Sequence, residues 1–281
     1  MGKTTVTYDI RHGVIGADVV RLQRVLNDAL GLSLTIDGVY GGGTLAAVKQ
    51  LQQKFGLPVD GQCAGATLKK ARDLGYKAVE FKVGDGNETD AWPPTPSEAV
   101  LPQPTAAITT GMFGVFQFEA NPGTGEGEKE RIRILGGWEA ANIVTVDIPQ
   151  LVGVPIPLDK MKATLSKGKL RCHKLAKDKL VKLFAAWDAA GLTDRILTFD
   201  GSFNARLKRG LTQPLAKNLS NHSWGATFDI NADLNPQSAR PVLMGGRGCI
   251  RELAKVANDM GIYWGGHFGK RDGMHFEIAK L

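Results

Sequence analysis

The chain has 281 residues, 43% hydrophobic and 22% charged, a length that suits one small domain plus one of medium size. No apolar run approaches the roughly 20 residues of a membrane-spanning helix, and three cysteines (Cys63, Cys172, Cys249), odd in number and without CxxC spacing, suggest buried thiols instead of a disulfide framework or thiolate metal site. A net charge of +7 and a pI near 9.3 favour a polyanionic partner, either nucleic acid, an anionic membrane surface or an acidic cell-wall polymer.

The opening residues, MGKTTVTYDIRHG, lack the basic-then-apolar pattern of a secretory signal, so synthesis and folding in the cytoplasm are expected, with another exit route for any target outside. In GADVVRLQRVLNDAL, Val19, Leu22, Val25, Leu26 and Leu30 fall at helical spacing, with Asp18 placed to support the first turn. TLAAVKQLQQKF repeats that stripe with Leu45, Val48, Leu51 and Phe55, and a third, shorter helix is predicted from about Thr67. The last two helices follow the same device, DGVYGGGT (Asp37 to Thr44) and DGQCAGAT (Asp60 to Thr67), in which Asp-Gly turns the chain and the threonine is expected to cap the helix.

Residues 83–110 hold five of the 13 prolines and neither helical nor strand periodicity, so they are predicted to be an extended linker. It separates a front domain (1–82) from a back domain (111–281). In the back domain GVFQFE, RIRIL and NIVTVDI have strand character. A long helix is expected over roughly Lys169 to Ala190, with Cys172, Ala176, Leu180, Leu183, Phe184 and Trp187 facing a sheet. RILTF, a helix near Gly248 to Met260 and the strand MHFEIA complete an α+β domain whose sheet is mainly antiparallel.

The chemistry concentrates in two stretches. SNHSWGATFDI places His222 seven residues before Asp229, and GKRDGMHFEIAKL places Asp272 three residues before His275. His222, Asp229 and His275 supply two imidazoles and a carboxylate, a set suited to catalytic zinc because it leaves a fourth position open. Asp272 is then placed as the proton shuttle that a peptide hydrolysis needs. Glu277, on the same strand face as His275, competes for the metal or orients its imidazole; the orienting role is preferred. His12 and His173 have no such partners and read as structural.

Two resemblances follow. The front pattern, an LQ-bearing helix, DGxYGxxT, AVKQLQ and a second DG turn, resembles the small three-helix peptidoglycan-binding domain of cell-wall hydrolases. SxHxxGxxxD (Ser220, His222, Gly225, Asp229) followed by DxxH (Asp272, His275) resembles the zinc D-alanyl-D-alanine carboxypeptidase and L-alanyl-D-glutamate endopeptidase family, whose fold is shared with the hedgehog signalling domain. That likeness implies one zinc ion on His222, Asp229 and His275, with Asp272 as general base and acid. GSFNARLKRG is similar to the segment whose arginine binds substrate and stabilises the oxyanion, implying Arg206, with Arg209 as a rival. Ser220, Trp264 and His267 are the further candidates for substrate contact, Trp264 and His267 being set against a core and a structural role.

The layout resembles a phage or prophage endolysin, released to the wall by a holin. It implies a monomeric peptidoglycan hydrolase that cuts between L-alanine and D-glutamate. The alternatives are D-alanyl-D-alanine cleavage and a catalytically silent wall-binding protein. No RRM, zinc-finger or helix-turn-helix signature supports a nucleic-acid partner, and an anionic outer-membrane surface remains a second candidate for the positive charge.

Overall fold

The computed structural model describes residues 4–83, 92–125 and 128–281, a mixed α+β structure with seven α-helices and antiparallel sheets among them. The front unit runs β1 (Thr4–Val6), α1 (Ala17–Leu30), α2 (Gly42–Lys54), α3 (Gly65–Asp73) and β2 (Phe81–Val83), with β1 and β2 paired antiparallel. The expected apolar stripes meet as a core of Val19, Leu22, Leu26, Val48 and Leu51.

The two DG turns are each clamped by a buried glutamine from the preceding helix. Gln23 Nε2 donates to Asp37 Oδ1 (2.8 Å) and Thr44 Oγ1 (3.1 Å), and its Oε1 accepts from Gly38 N. Gln52 repeats this one turn later, with Asp60 Oδ1 (2.7 Å), Thr67 Oγ1 (3.0 Å) and Gly61 N. Thr44 and Thr67 therefore do not cap α2 and α3, contrary to expectation. The caps are Gly41 and Ala64, and neither threonine makes a side-chain capping bond. Each threonine is the third residue of its helix, already past the N-cap, and its hydroxyl accepts instead from the glutamine that clamps the turn.

Residues 84–91 of the expected linker lie outside the described residues. From Trp92 onward the chain packs on the back unit. The Trp92 ring sits 5.4 Å from that of Trp264, and α4 (Ala106–Phe113) starts where Thr105 Oγ1 accepts from Ile108 N. There follow β3 (Phe118–Ala120) and β4 (Ile132–Ile134), paired with each other, then α5 (Trp138–Asn142) and a long hairpin of β5 (Ile143–Asp159) and β6 (Lys162–His173).

The helix expected from Lys169 begins later, as α6 (Lys177–Ala189). Residues 169–172 alternate exposed Lys169 and Arg171 with buried Leu170 and Cys172, a period of two that fits the strand, so Cys172 packs from β6. All three cysteines are free and buried.

The remaining elements are β7 (Phe199–Gly201), β8 (Thr227–Ile230), α7 (Arg251–Asp259), β9 (Ile262–Trp264) and β10 (His275–Ile278). They form an antiparallel sheet of order β7-β8-β10-β9. Alternation divides its two central strands cleanly. Phe228 and Phe276 face α6, stacked on each other at 5.3 Å and touched by Phe184 and Trp187. Each such ring contributes about 1.5–3 kcal/mol by leaving water. Asp229, His275 and Glu277 point the other way, with Asp229 directly opposite His275 in register.

The two units are joined by buried polar contacts. Asp18 is fully buried and takes two bonds from Arg247 (2.8 and 2.9 Å), which also donates to the Ile15 carbonyl. Ala17 N donates to Leu197 O at 2.8 Å, Arg195 donates to Glu80 O, and Phe81, Leu197 and Cys249 make a small shared core.

Candidate metal centre

Strand register brings Asp229 of β8 beside His275 of β10, and a short 3₁₀ turn, Asn221–Trp224, delivers His222 to the same spot. That turn closes on Gly225 at φ 65°, where an added Cβ would lie 2.7 Å from the backbone N of His173; only glycine satisfies both demands. The donor atoms of His222, Asp229 and His275 lie within 4.8 Å of one another. His275 Nδ1 is 2.9 Å from Asp229 Oδ1, and His222 Nε2 is 3.2 Å from Asp229 Oδ2.

His222 Nδ1 donates to the carbonyl oxygen of Ser202 at 2.6 Å, which leaves Nε2 as the nitrogen with a free lone pair. That Nε2 is buried, and although within ion-pairing distance of Asp229 it has no hydrogen-bond partner among the described residues. A buried, unpaired nitrogen beside a carboxylate and a second imidazole fits a zinc ion in donor type, number and charge. The electrostatics agree: burial alone would raise the Asp229 carboxyl, yet the two imidazoles hold it well below the usual carboxylate range. Against the opposing effect of burial, Asp229 and Glu277 push His275 up to about 10, an environment that a divalent cation takes over by displacing the proton.

Asp272 occupies the turn before β10. Its N donates to Gly265 O, its Oδ2 accepts from Gln237 Nε2 at 3.0 Å, and its Oδ1 is buried without a partner among the described residues. Burial raises its pKa, with His275 opposing. The turn fits because Gly265 lacks a Cβ, which would lie 2.5 Å from Asp272 O. Arg206, Arg209, Ser220, Asp272 and the three candidate ligands all line one cleft of about 570 Å³. Arg206 is anchored by its N, which donates to Ser223 Oγ (3.0 Å), and its guanidinium is shifted down by burial and by Arg209.

Trp264 and His267 are not among the cleft-lining residues. Trp264 is fully buried beneath Trp92 and donates Nε1 to Gly273 O, while His267 contacts Thr95 Oγ1 and Asn258 Nδ2, each at 3.2 Å. Their place is in the packing under the 92–113 segment; Phe268, the next residue, reaches the cleft instead. Sequence reasoning also missed Ser202, Gln237 and Asp200. Ser202 acts through its main chain, which carries no side-chain signal, and Gln237 and Asp200 arrive from loops with no distinguishing spacing.

Comparison with known proteins places similarity at both ends of this architecture. The family model described as D-alanyl-D-alanine carboxypeptidase matches residues 215–278, a span that contains His222, Asp229, Asp272 and His275 but not Arg206. A model of a peptidoglycan binding domain matches residues 15–70. The spore cortex-lytic enzyme of Bacillus cereus is 39% identical over 79 residues, 28% of this chain and 29% of that protein. The same enzyme of Halalkalibacterium halodurans is 46% identical over 82 residues, 28% of this chain and 25% of that protein. The chain thus spans less than a third of the length of the curated relatives it matches, and these are spore enzymes, not phage lysins. The crystal structure of the SleB N-terminal domain shares 37% identity over 24% of this chain and 92% of that one, with a TM-score of 0.23. The chain therefore joins a segment similar to peptidoglycan binding domains to one similar to D-alanyl-D-alanine carboxypeptidases, and the latter holds the candidate metal ligands.

Proposed function

We propose that this protein is a zinc peptidase that hydrolyses the stem peptide of bacterial peptidoglycan at the bond between L-alanine and D-glutamate. The observation that carries the reading is the meeting of His222, Asp229 and His275 in one cleft with the unpartnered carboxylate oxygen of Asp272. Zinc, when bound by those three residues, supplies Lewis-acid activation of water and of the scissile carbonyl. Asp272 takes the proton of the attacking water and passes it to the leaving amine. Arg206 lends positive charge to the oxyanion from the cleft wall.

The front unit, by its similarity to peptidoglycan binding domains, holds the wall while the back unit cuts. The protein acts as a monomer at the cell wall after synthesis in the cytoplasm, and its net positive charge favours approach to anionic envelope surfaces.

The test is mass spectrometry of purified peptidoglycan after digestion by the full chain, with and without chelator and with zinc restored. New L-alanine and D-glutamate termini that vanish with chelator and return with zinc support the reading. Release of D-alanine supports the second reading, a D-alanyl-D-alanine carboxypeptidase, which the description of the matched family favours. Wall binding without cleavage under any condition defeats both.

A further inference from the structure

His275 uses both ring nitrogens. Nδ1 faces Asp229 within the ligand set, and Nε2 lies 3.4 Å from Glu277 Oε2 on the opposite edge of the ring. Glu277 is 2% exposed, and its other oxygen, Oε1, accepts from Asn221 Nδ2 and from Thr109 Oγ1 at 3.3 Å. Thr109 is fully buried, belongs to α4 and lies 168 residues before Glu277 in the chain, outside both segments that match family models. The same segment is tied down just beyond α4, where the Gly114 carbonyl accepts from Trp224 Nε1 at 2.8 Å.

We propose that Thr109 is a positioning residue of the metal centre, acting through Glu277 on His275. A carboxylate on a free torsion wanders; two donors on one oxygen pin its plane and fix where the other oxygen points. With Oε2 held at Nε2, the neutral imidazole keeps its proton there and offers the Nδ1 lone pair to the metal. Thr110, the next residue, is the internal contrast, because its hydroxyl is exposed and donates to Ala106 O of its own helix at 2.7 Å.

The inference rests on the zinc reading, and the experiment separates the two. Zinc affinity of the full chain is measured by competition with a chromophoric chelator, and the ligand field by the visible spectrum of the cobalt-substituted protein. Thr109→Val is expected to weaken zinc binding about 10-fold or more and to shift the cobalt bands. Thr109→Ser should retain both properties and Thr110→Val should change neither. In a Glu277→Gln background Thr109→Val should add nothing, since the path through the carboxylate is already cut. If valine disrupts folding, as seen by circular dichroism, Thr109→Ala carries the same expectation. Wild-type affinity and spectrum in the folded Thr109→Val or Thr109→Ala protein, equal loss in Thr109→Ser, or additivity with Glu277→Gln overturns the role of Thr109. A wild-type chain that takes up no zinc overturns the metal reading itself.

Discussion

The carbonyl oxygen of Ser202 lies 2.6 Å from Nδ1 of His222, so a main-chain atom decides which nitrogen of that imidazole is left for a metal. The pairing predicts that one zinc ion binds per chain and that His222→Ala and Asp229→Asn lose it, as read by elemental analysis after dialysis. Asp272→Asn should keep the zinc, because Asp272 is outside the ligand set, yet reduce turnover by about 100-fold or more. Zinc lost together with activity in Asp272→Asn would make that residue a ligand instead.

A second prediction concerns acid. Asp200 is pushed up to about 6 by burial and by Asp229, although Thr198 Oγ1 and Ala232 N donate to its Oδ2. A carboxyl whose folded pKa exceeds its unfolded value of 3.8 holds protons more tightly when folded. It therefore adds stability as pH falls through 6 and costs stability above that. Asp200→Asn keeps an oxygen for both donors and removes the charge. In metal-free protein it should raise stability at pH 7 by about 2 kcal/mol and flatten the wild-type difference between pH 6 and 4. Urea denaturation across that range checks it, and an unchanged difference refutes it.

The sequence exposed the candidate ligands more readily than their supports. His222, Asp229, Asp272 and His275 stand at fixed spacing next to strand-like alternation, and one period of two sends the candidate metal ligands of β8 and β10, Asp229 and His275, to the face opposite Phe228 and Phe276. The first two front helices were equally legible from their apolar stripes, and the third from the DG turn that precedes it. Hidden were the contacts between residues far apart in the chain. Glu130 accepts from Gly210 N, Thr109 reaches Glu277 and Asp18 reaches Arg247, and no local pattern encodes such pairs. The start of α6 was misplaced because Cys172 stands four residues before Ala176, at helical spacing, and two after Leu170, at strand spacing, so it satisfies both patterns. The position of Trp264 was hidden because the tryptophan that covers it, Trp92, lies in a stretch with no periodicity.

Two glycines with the same φ of 65° separate strain from crowding. Gly31, at the end of α1, has nothing near its absent Cβ, whereas at Gly225 the Cβ would strike the His173 backbone. Gly31→Ala should cost about 1 kcal/mol, the price of left-handed backbone alone. Gly225→Ala should cost roughly 2–4 kcal/mol and weaken zinc binding, because the turn carrying His222 must move. Equal costs in thermal denaturation would show that the crowding relaxes freely.

Asp18 and Arg247 supply the fourth prediction. Asp18→Ala strands a buried guanidinium and should cost about 3–5 kcal/mol, lowering the urea midpoint. Replacing both, Asp18→Ala with Arg247→Met, should recover much of the loss. A single variant as stable as the wild type would mean that water reaches the pair.

That ion pair also sets a mechanical limit. With Ala17 bonded to Leu197 and Arg195 to Glu80, the helices of the front unit and the cleft of the back unit cannot swing independently. On the proposed function the molecule would be a fixed arm: the cleft would meet its substrate at one offset and one angle from whatever surface residues 15–70 held. Such an arm would then select cutting positions in a cross-linked mesh by reach as well as by chemistry, and each new cut would require release of the grip.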